Sequence, residues 1–262
     1  MKINFFWIWT ALNPSFDNTY FLIEDWENKL QVDAWWGLWL AQKVKSKDAY
    51  FENIFITHSH SDHILWIIHL FRTITKEIPK LNIFCSKKVE KDIRTIAKIT
   101  IKKQINDMFD NWIINFINID NLEEQKIWEF LLQPINLYSE KMEQYWFLLK
   151  YKDKKILFFW DEAYWVFKRN DLERFKWIDY LICEAMIPEK MSLKWWWKID
   201  IDKMHHITSQ QAWNISSYLE SKNLILVHTK EIKDREKELL EDARKKYNGK
   251  IIIPNDWYIL YI

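Results

Sequence analysis

Phe51-Glu52-Asn53-Ile54-Phe55-Ile56-Thr57-His58-Ser59-His60-Ser61-Asp62-His63 is an apolar run that breaks into three histidines and an aspartate within six positions. Phe51 to Thr57 reads as a strand, and the polar cluster lies just beyond its end, where side chains converge at a sheet edge. His58 and His60, two apart on extended backbone, point the same way. Asp62 and His63 open a helix predicted over 62–74, with Ile64, Leu65, Ile68, Leu70 and Phe71 at helical spacing and Asp62 placed to cap the first turn. A lone histidine here would most often be a packed or solvated residue; three with an aspartate form a donor set suited to zinc and other divalent first-row ions. Two such ions sharing a hydroxide would supply a nucleophile near neutral pH.

On the amino-terminal side, residues 3–9, 18–24 and 29–33 read as an opening antiparallel set, the last ending at Asp33, and 38–48 reads as a helix. On the other side, Leu81 to Cys85 is a predicted strand and Ser86 to Ala97 a helix, followed by a less periodic stretch over 98–127. Strands follow at 130–137, 145–151 and 154–159, with Lys152-Asp153 as a hairpin turn, and another from Asp179 to Glu184. A helix over 209–221 opened by Ser209, a strand from Leu224 to His228 and a charged helix over 230–247 come next. Gly249 would terminate that helix, and Lys250 to Ile253 and Tyr258 to Ile262 would close the sheet. No repeat, low-complexity tract or linker interrupts the chain. The expectation is one α/β domain spanning 1–262, with two packed sheets covered by helices.

Lysine and arginine number 38 against 37 acidic residues, so no global field draws the chain toward nucleic acid or an anionic membrane. Cys85 and Cys183 form no CxxC unit and fit a reduced, cytoplasmic protein. The apolar amino terminus has neither a basic n-region nor a cleavage signal, and no apolar run has the length of a membrane helix. Residues 1–262 are therefore expected to act away from membranes, and a homodimer is compatible with them.

Two glycines in 262 residues fall far below the usual share of about 7%, while 18 tryptophans are an extreme excess. The two types together number 20, close to an ordinary glycine content. Several tryptophans stand where glycine is expected: Trp7, Trp9, Trp26, Trp35, Trp36, Trp160 and the row Trp195 to Trp197. Turns with positive φ and close backbone approaches need a residue without Cβ, and indole is a poor substitute. The expectation is a gene from an organism that reads UGA as glycine, rendered here with tryptophan.

The His-x-His-x-Asp-His run after a strand resembles the second motif of the metallo-β-lactamase superfamily, and other landmarks resemble that family in order along nearly the whole chain. The resemblance implies a four-layer αββα sandwich with the site at one edge of two sheets. It implies that Asp33 orients ligands without binding metal, that Asp161, preceded by Trp160, bridges two ions, and that His228 is the final ligand. His58 and His60 would hold one ion, Asp62, His63 and His228 the other, with zinc as the expected metal. Members with a Tyr-Gly pair place a ligand histidine six residues before the glycine. Here that position is Glu140, a carboxylate that would shift preference toward manganese. His206, in His205-His206-Ile207-Thr208 and 22 residues before His228, resembles the histidine that assists at the scissile phosphate in the tRNA 3′-endonuclease and phosphodiesterase branch; adjacent His205 competes for the role. His69 reads as structural.

Phosphodiester hydrolysis is thus the expected reaction, with Asp62 and His206 catalytic. The stretch Phe6 to Ala11 also resembles that branch. The 21 residues from Glu140 to Asp161 leave no room for a projecting RNA-binding arm, so a small phosphodiester or nucleotide is expected at least as readily as RNA. A thioester or lactone hydrolase, and a degenerate binding protein that has lost a ligand at Glu140, are the competing expectations.

Overall fold

The computed structural model describes residues 1–9, 19–26, 28–34, 51–73, 80–101, 103–169, 172–188, 204–230, 234–244 and 247–262. Fourteen strands among them form two seven-stranded sheets. The first has the order β14-β1-β2-β3-β4-β5-β6, from β1 (Lys2–Trp7), β2 (Tyr20–Asp25), β3 (Asn28–Val32), β4 (Asn53–Phe55), β5 (Leu81–Cys85), β6 (Ile114–Asn118) and β14 (Tyr258–Tyr261). The second has the order β13-β12-β11-β10-β9-β8-β7, from β7 (Gln125–Ile127), β8 (Phe130–Asn136), β9 (Tyr145–Tyr151), β10 (Lys154–Phe159), β11 (Tyr180–Glu184), β12 (Asn223–Val227) and β13 (Lys250–Ile252). In each sheet an antiparallel half passes into a parallel half, at β3 against β4 in one and β10 against β11 in the other.

Strand alternation builds the layers. On β10, Phe158 enters the core between the sheets with Phe5, Phe21, Phe55 and Phe147, while Leu157 and Phe159 face the outer helices. The same parity holds on β12, where Ile225 and Val227 point inward and Leu224 and Leu226 outward. The first sheet is covered by α1 (Ser61–Thr73) and α2 (Lys87–Ile101), with α3 (Lys103–Asp110) beside them; their apolar side chains, Ile67, Phe71, Val89, Ile93 and Ile105, bury against Ile54, Ile56 and Ile83. The second is covered by α4 (Tyr164–Arg169) and α5 (Ser209–Tyr218) through Val166, Phe167, Ala212 and Ile215. The result is the expected helix–sheet–sheet–helix sandwich. Among the described residues, no helix is long and apolar enough to cross a membrane.

Several expectations change in detail. The 98–127 stretch is not irregular: it contains the end of α2, all of α3, and β6 and β7. Helix α5 is capped by Thr208, not Ser209; the Thr208 hydroxyl accepts from Gln211 N while the Gln211 side chain accepts from Thr208 N. The charged helix is shorter, α6 (Arg235–Ala243). The two closing strands enter different sheets, β13 beside β12 and β14 beside β1. The helix expected over 38–48 lies outside the described residues.

Tryptophan sits badly in several places. Twelve tryptophans fall among the described residues, and five of them, Trp26, Trp112, Trp128, Trp177 and Trp257, have φ between 55° and 69°. Trp26 is 94% exposed there, so no packing offsets the strain. Trp146 and Phe159 are buried with ring centroids 3.1 Å apart, well inside the roughly 4.5 Å lower limit of ordinary aromatic pairs. The buried indole nitrogens of Trp160 and Trp213 have no hydrogen-bond partner.

Asp179, at the start of β11, ties three strands. It accepts from Lys155 N at 3.0 Å and from Lys222 Nζ at 2.8 Å. Burial alone would raise its carboxyl, but these two donors hold it below its ordinary value. The contribution to stability is therefore present above the unfolded carboxylate pKa and lost as pH falls through the lower folded value. Asp179→Asn should lower stability at neutral pH by about 1 kcal/mol, a modest loss because Lys222 is largely solvated. Urea unfolding checks this: the difference from wild type should shrink toward zero in acid, and a constant difference across pH would rule out the charge as its source.

Candidate metal centre

Most of the side chains singled out in the sequence, though not Glu140, meet together with Glu184 at the carboxyl ends of the parallel strands of both sheets. Asp33 follows β3, His58 and His60 follow β4, and His63 lies in the first turn of α1; Asp161 follows β10, Glu184 ends β11 and His228 follows β12. Asp33, Asp161 and His228 have φ of 58°, 57° and 52°, so the chain turns left-handed as it leaves β3, β10 and β12. Such turns stop each strand abruptly and swing the next side chain across the sheet edge. For residues with a Cβ that conformation is strained, and Asp and His tolerate it better than most.

Asp161 is the hub. Its Oδ2 lies 2.9 Å from His58 Nε2, 3.5 Å from His60 Nδ1 and 3.8 Å from His63 Nε2. His58 Nε2 and His60 Nδ1 are 2.8 Å apart, and His63 Nε2 is 3.5 Å from Asp62 Oδ2. Its other oxygen, Oδ1, faces His206 Nδ1 at 3.4 Å. Two clusters of donor atoms result, His58 with His63 and Asp161, and Asp161 with His206 and His228.

A layer of buried partners orients these rings. Asp33 accepts from Thr57 N at 2.8 Å, from the Thr57 hydroxyl at 2.9 Å and from His63 Nδ1 at 2.7 Å. The Thr57 hydroxyl has one proton and directs it to the Asp33 carboxylate, so it accepts from His58 Nδ1 at 2.8 Å. Both imidazoles thereby commit Nδ1–H to these partners and point Nε2 toward Asp161. His63 Nε2 is buried without a hydrogen-bond partner. The orphaned His63 Nε2, with the His58 and His60 nitrogens converging on the same carboxylate, makes a donor set that fits a divalent ion, with outer partners of the kind metal-binding histidines use.

The charges agree. Burial pushes His58 down to about 4, reinforced by His63, and burial likewise pushes His228 down to about 4. Burial also acts to lower His63, but Asp33, Asp62 and Asp161 overcome it and carry the group up to about 9. For Asp161 burial would raise the carboxyl, whereas the bonds from His58 and His60 and the nearby imidazoles hold it well below the usual range.

Glu184 was not foreseen in the sequence. It is fully buried, and its Oε1 accepts from His206 Nδ1 at 2.7 Å and from Ile207 N at 3.2 Å. Burial would lower the His206 imidazole, but the Glu184 charge and bond raise it above its ordinary value. The available signal was an acidic residue ending an apolar strand, as Asp33 and Asp161 also do. Of the two adjacent histidines, His206 faces the cluster and His205 is exposed. His69 is exposed on α1.

Glu140 lies exposed in the loop between β8 and β9 and joins neither donor cluster. The next residue, Lys141, turns inward: its ammonium donates to His205 O at 2.5 Å and Asp161 O at 3.2 Å and lies 3.6 Å from Asp161 Oδ1. A fixed cation thus stands beside the hub carboxylate.

Comparison with known proteins gives a consistent picture. The model of the beta-lactamase superfamily domain matches residues 28–229. Among solved structures, the metallo-beta-lactamase fold protein YhfI from Bacillus subtilis is similar with a TM-score of 0.74 at 15% identity, over 99% of this chain and 98% of that one. Human tRNase Z, short form, is similar with a TM-score of 0.70 at 16% identity, over 100% and 99%. A diphosphatase from the PhnP family gives 0.70 at 15% identity, over 99% and 97%. A search of curated proteins finds no match.

Proposed function

Because the chain belongs to the metallo-β-lactamase superfamily, we propose that it is a metal-dependent hydrolase that cleaves a phosphodiester in a small or nucleotide substrate. The observation that carries this reading is the Glu184–His206 pair beside Asp161. A carboxylate, fully buried, holds an imidazole 3.4 Å from the hub of the metal donors and raises its basicity. That is the equipment for handing a proton to a departing alcohol.

His58, His60, Asp62, His63, Asp161 and His228 would hold divalent ions, zinc foremost. When bound, such ions supply a hydroxide at neutral pH and offset charge developing on phosphorus. The protein does the rest. Asp33 and Thr57 fix the rings of His63 and His58. Asp62, half-buried beside His63 Nε2, is placed to accept a proton from the attacking water. With Nδ1 committed to Glu184, His206 offers Nε2 to the leaving oxygen. As oxygen from water bonds to phosphorus and the ester bond breaks, the proton on Nε2 passes to the alcohol.

The similarity in fold to a tRNase Z and a PhnP-family diphosphatase supports a phosphorus substrate. The tight β9–β10 hairpin, closed by Lys152 and Asp153, favours a small substrate over a structured RNA. Two phosphodiesters, one with a p-nitrophenyl and one with an alkyl leaving group, test the reading. p-Nitrophenolate departs without a proton, whereas an alkoxide needs one. His206→Ala should therefore reduce turnover of the alkyl diester by about 10²-fold or more and that of the nitrophenyl diester far less. Equal losses on both would remove His206 as proton donor. Faster turnover of a thioester panel than of either diester would overturn the phosphodiesterase reading.

A further inference from the structure

Asp33 and Thr57 account for two of the buried histidines, but the third, His228, has a partner from another part of the fold. Thr19, just before β2, is 2% exposed, and its hydroxyl oxygen lies 2.9 Å from His228 Nδ1. The same hydroxyl lies 3.0 Å from the main-chain oxygen of Trp9, which also accepts from Thr19 N at 2.9 Å. A carbonyl only accepts, so the single hydroxyl proton goes to Trp9 O, and the Thr19 oxygen is left to accept from His228 Nδ1–H. This direction depends only on the backbone of residue 9.

The surroundings hold that arrangement in place. Trp9 pairs with Thr229 in an isolated bridge, and Thr229 N donates to Ile8 O at 2.8 Å. Residues 8 and 9 are thus bonded on one side to Thr19 and on the other to the residue after His228. Thr229 is secured further by Arg235, whose Nη1 donates to its hydroxyl at 2.7 Å and whose Nη2 reaches Pro254 O at 3.1 Å. His228 is left-handed at φ 52° with a buried ring. Its remaining nitrogen, Nε2, is the one free to face the cluster of Asp161 and His206.

We infer that Thr19 is a positioning residue: its hydroxyl holds the His228 imidazole in the Nδ1–H form and aims Nε2 at the metal centre. The inference rests on the metal-ligand reading of His228 only for its consequence, not for the hydrogen bond. Thr19 would do for His228, from the first sheet, what Thr57 does for His58. Outer partners of this kind typically change metal affinity by about 10–100-fold.

The test compares wild type, Thr19→Val, which keeps the shape and removes the hydroxyl, and Thr19→Ser, which restores it. Long-range proton–nitrogen spectra of the metal-free proteins at neutral pH, with the His228 signals assigned by their loss in His228→Gln, report the tautomer directly. Wild type and Thr19→Ser should show Nδ1–H, and Thr19→Val should lose it. Zinc competition against a chromophoric chelator should show affinity weakened by about 10–100-fold in Thr19→Val and restored in Thr19→Ser. An unchanged tautomer in Thr19→Val overturns the inference. A changed tautomer with unchanged zinc affinity upholds the role of Thr19 and removes His228 from the ligand set instead. Should Thr19→Val fail to fold, the inference stands or falls on Thr19→Ser and on Thr19→Ala, which must give the same contrast.

Discussion

A gene recoded to place glycine at all 18 tryptophan positions should give soluble, metal-binding protein, where the gene specifying tryptophan gives little of either. We propose that glycine is the residue the host inserts there. The five left-handed tryptophans each carry a penalty of about 1 kcal/mol or more for a residue with a Cβ. Crowding such as that of Trp146 against Phe159 adds about 1–3 kcal/mol per site. The sum is comparable to a whole domain's stability margin of roughly 5–15 kcal/mol. Soluble yield and melting temperature of the two proteins decide the matter, together with the mass of the protein from its host. Equal yields, or a native mass that includes 18 tryptophans, would end the proposal.

Asp161→Ala should be the most damaging single change at the centre. Its Oδ2 reaches His58, His60 and His63 and its Oδ1 reaches His206, so no other side chain touches as many members of the cluster. Without it the imidazoles face one another with no anion between them. Zinc content should fall below one ion per chain, and diester hydrolysis should drop by about 10²–10³-fold, the scale on which removing a preorganised group acts. Elemental analysis and turnover measured together check this. A full metal complement in Asp161→Ala would mean that the hub is not where the ions bind.

The sequence was most legible where local pattern and chemistry coincided. Around His58 the apolar strand, the donor spacing and the start of the helix all lie within one short window, and β4 and α1 follow from it, although α1 begins at Ser61 and so takes Asp62 into its first turn instead of capping on it. The hairpin of β9 and β10 was equally plain, since alternation and a turn pair are both local. What escaped depends on distant partners. Strand β6, Ile114–Asn118, carries two asparagines that break its apolar pattern, and Asn115 is satisfied by Asn82 on β5, which in turn bonds Asn53 on β4. No window around β6 contains that ladder. The separation of β13 and β14 into different sheets is likewise invisible in the few residues that join them. Glu184 looked like the end of a strand until His206, 22 residues on, gave its carboxylate a partner. The inward turn of Lys141 and the outward turn of Glu140 show the same limit, because spacing names a position but not which neighbour faces the centre.

The left-handed backbone at Asp33, Asp161 and His228 has a thermodynamic implication. Contorting three donors or supports into that geometry is work done on folding, so a cradle of this shape exists only in the native form. Affinity for the ion and resistance to unfolding then become two readings of a single equilibrium, since a species that binds only the native form stabilises it in proportion to the logarithm of its concentration. Damage to the apolar interior far from the cradle should consequently loosen the ion, and saturating ion should rescue a weakened interior.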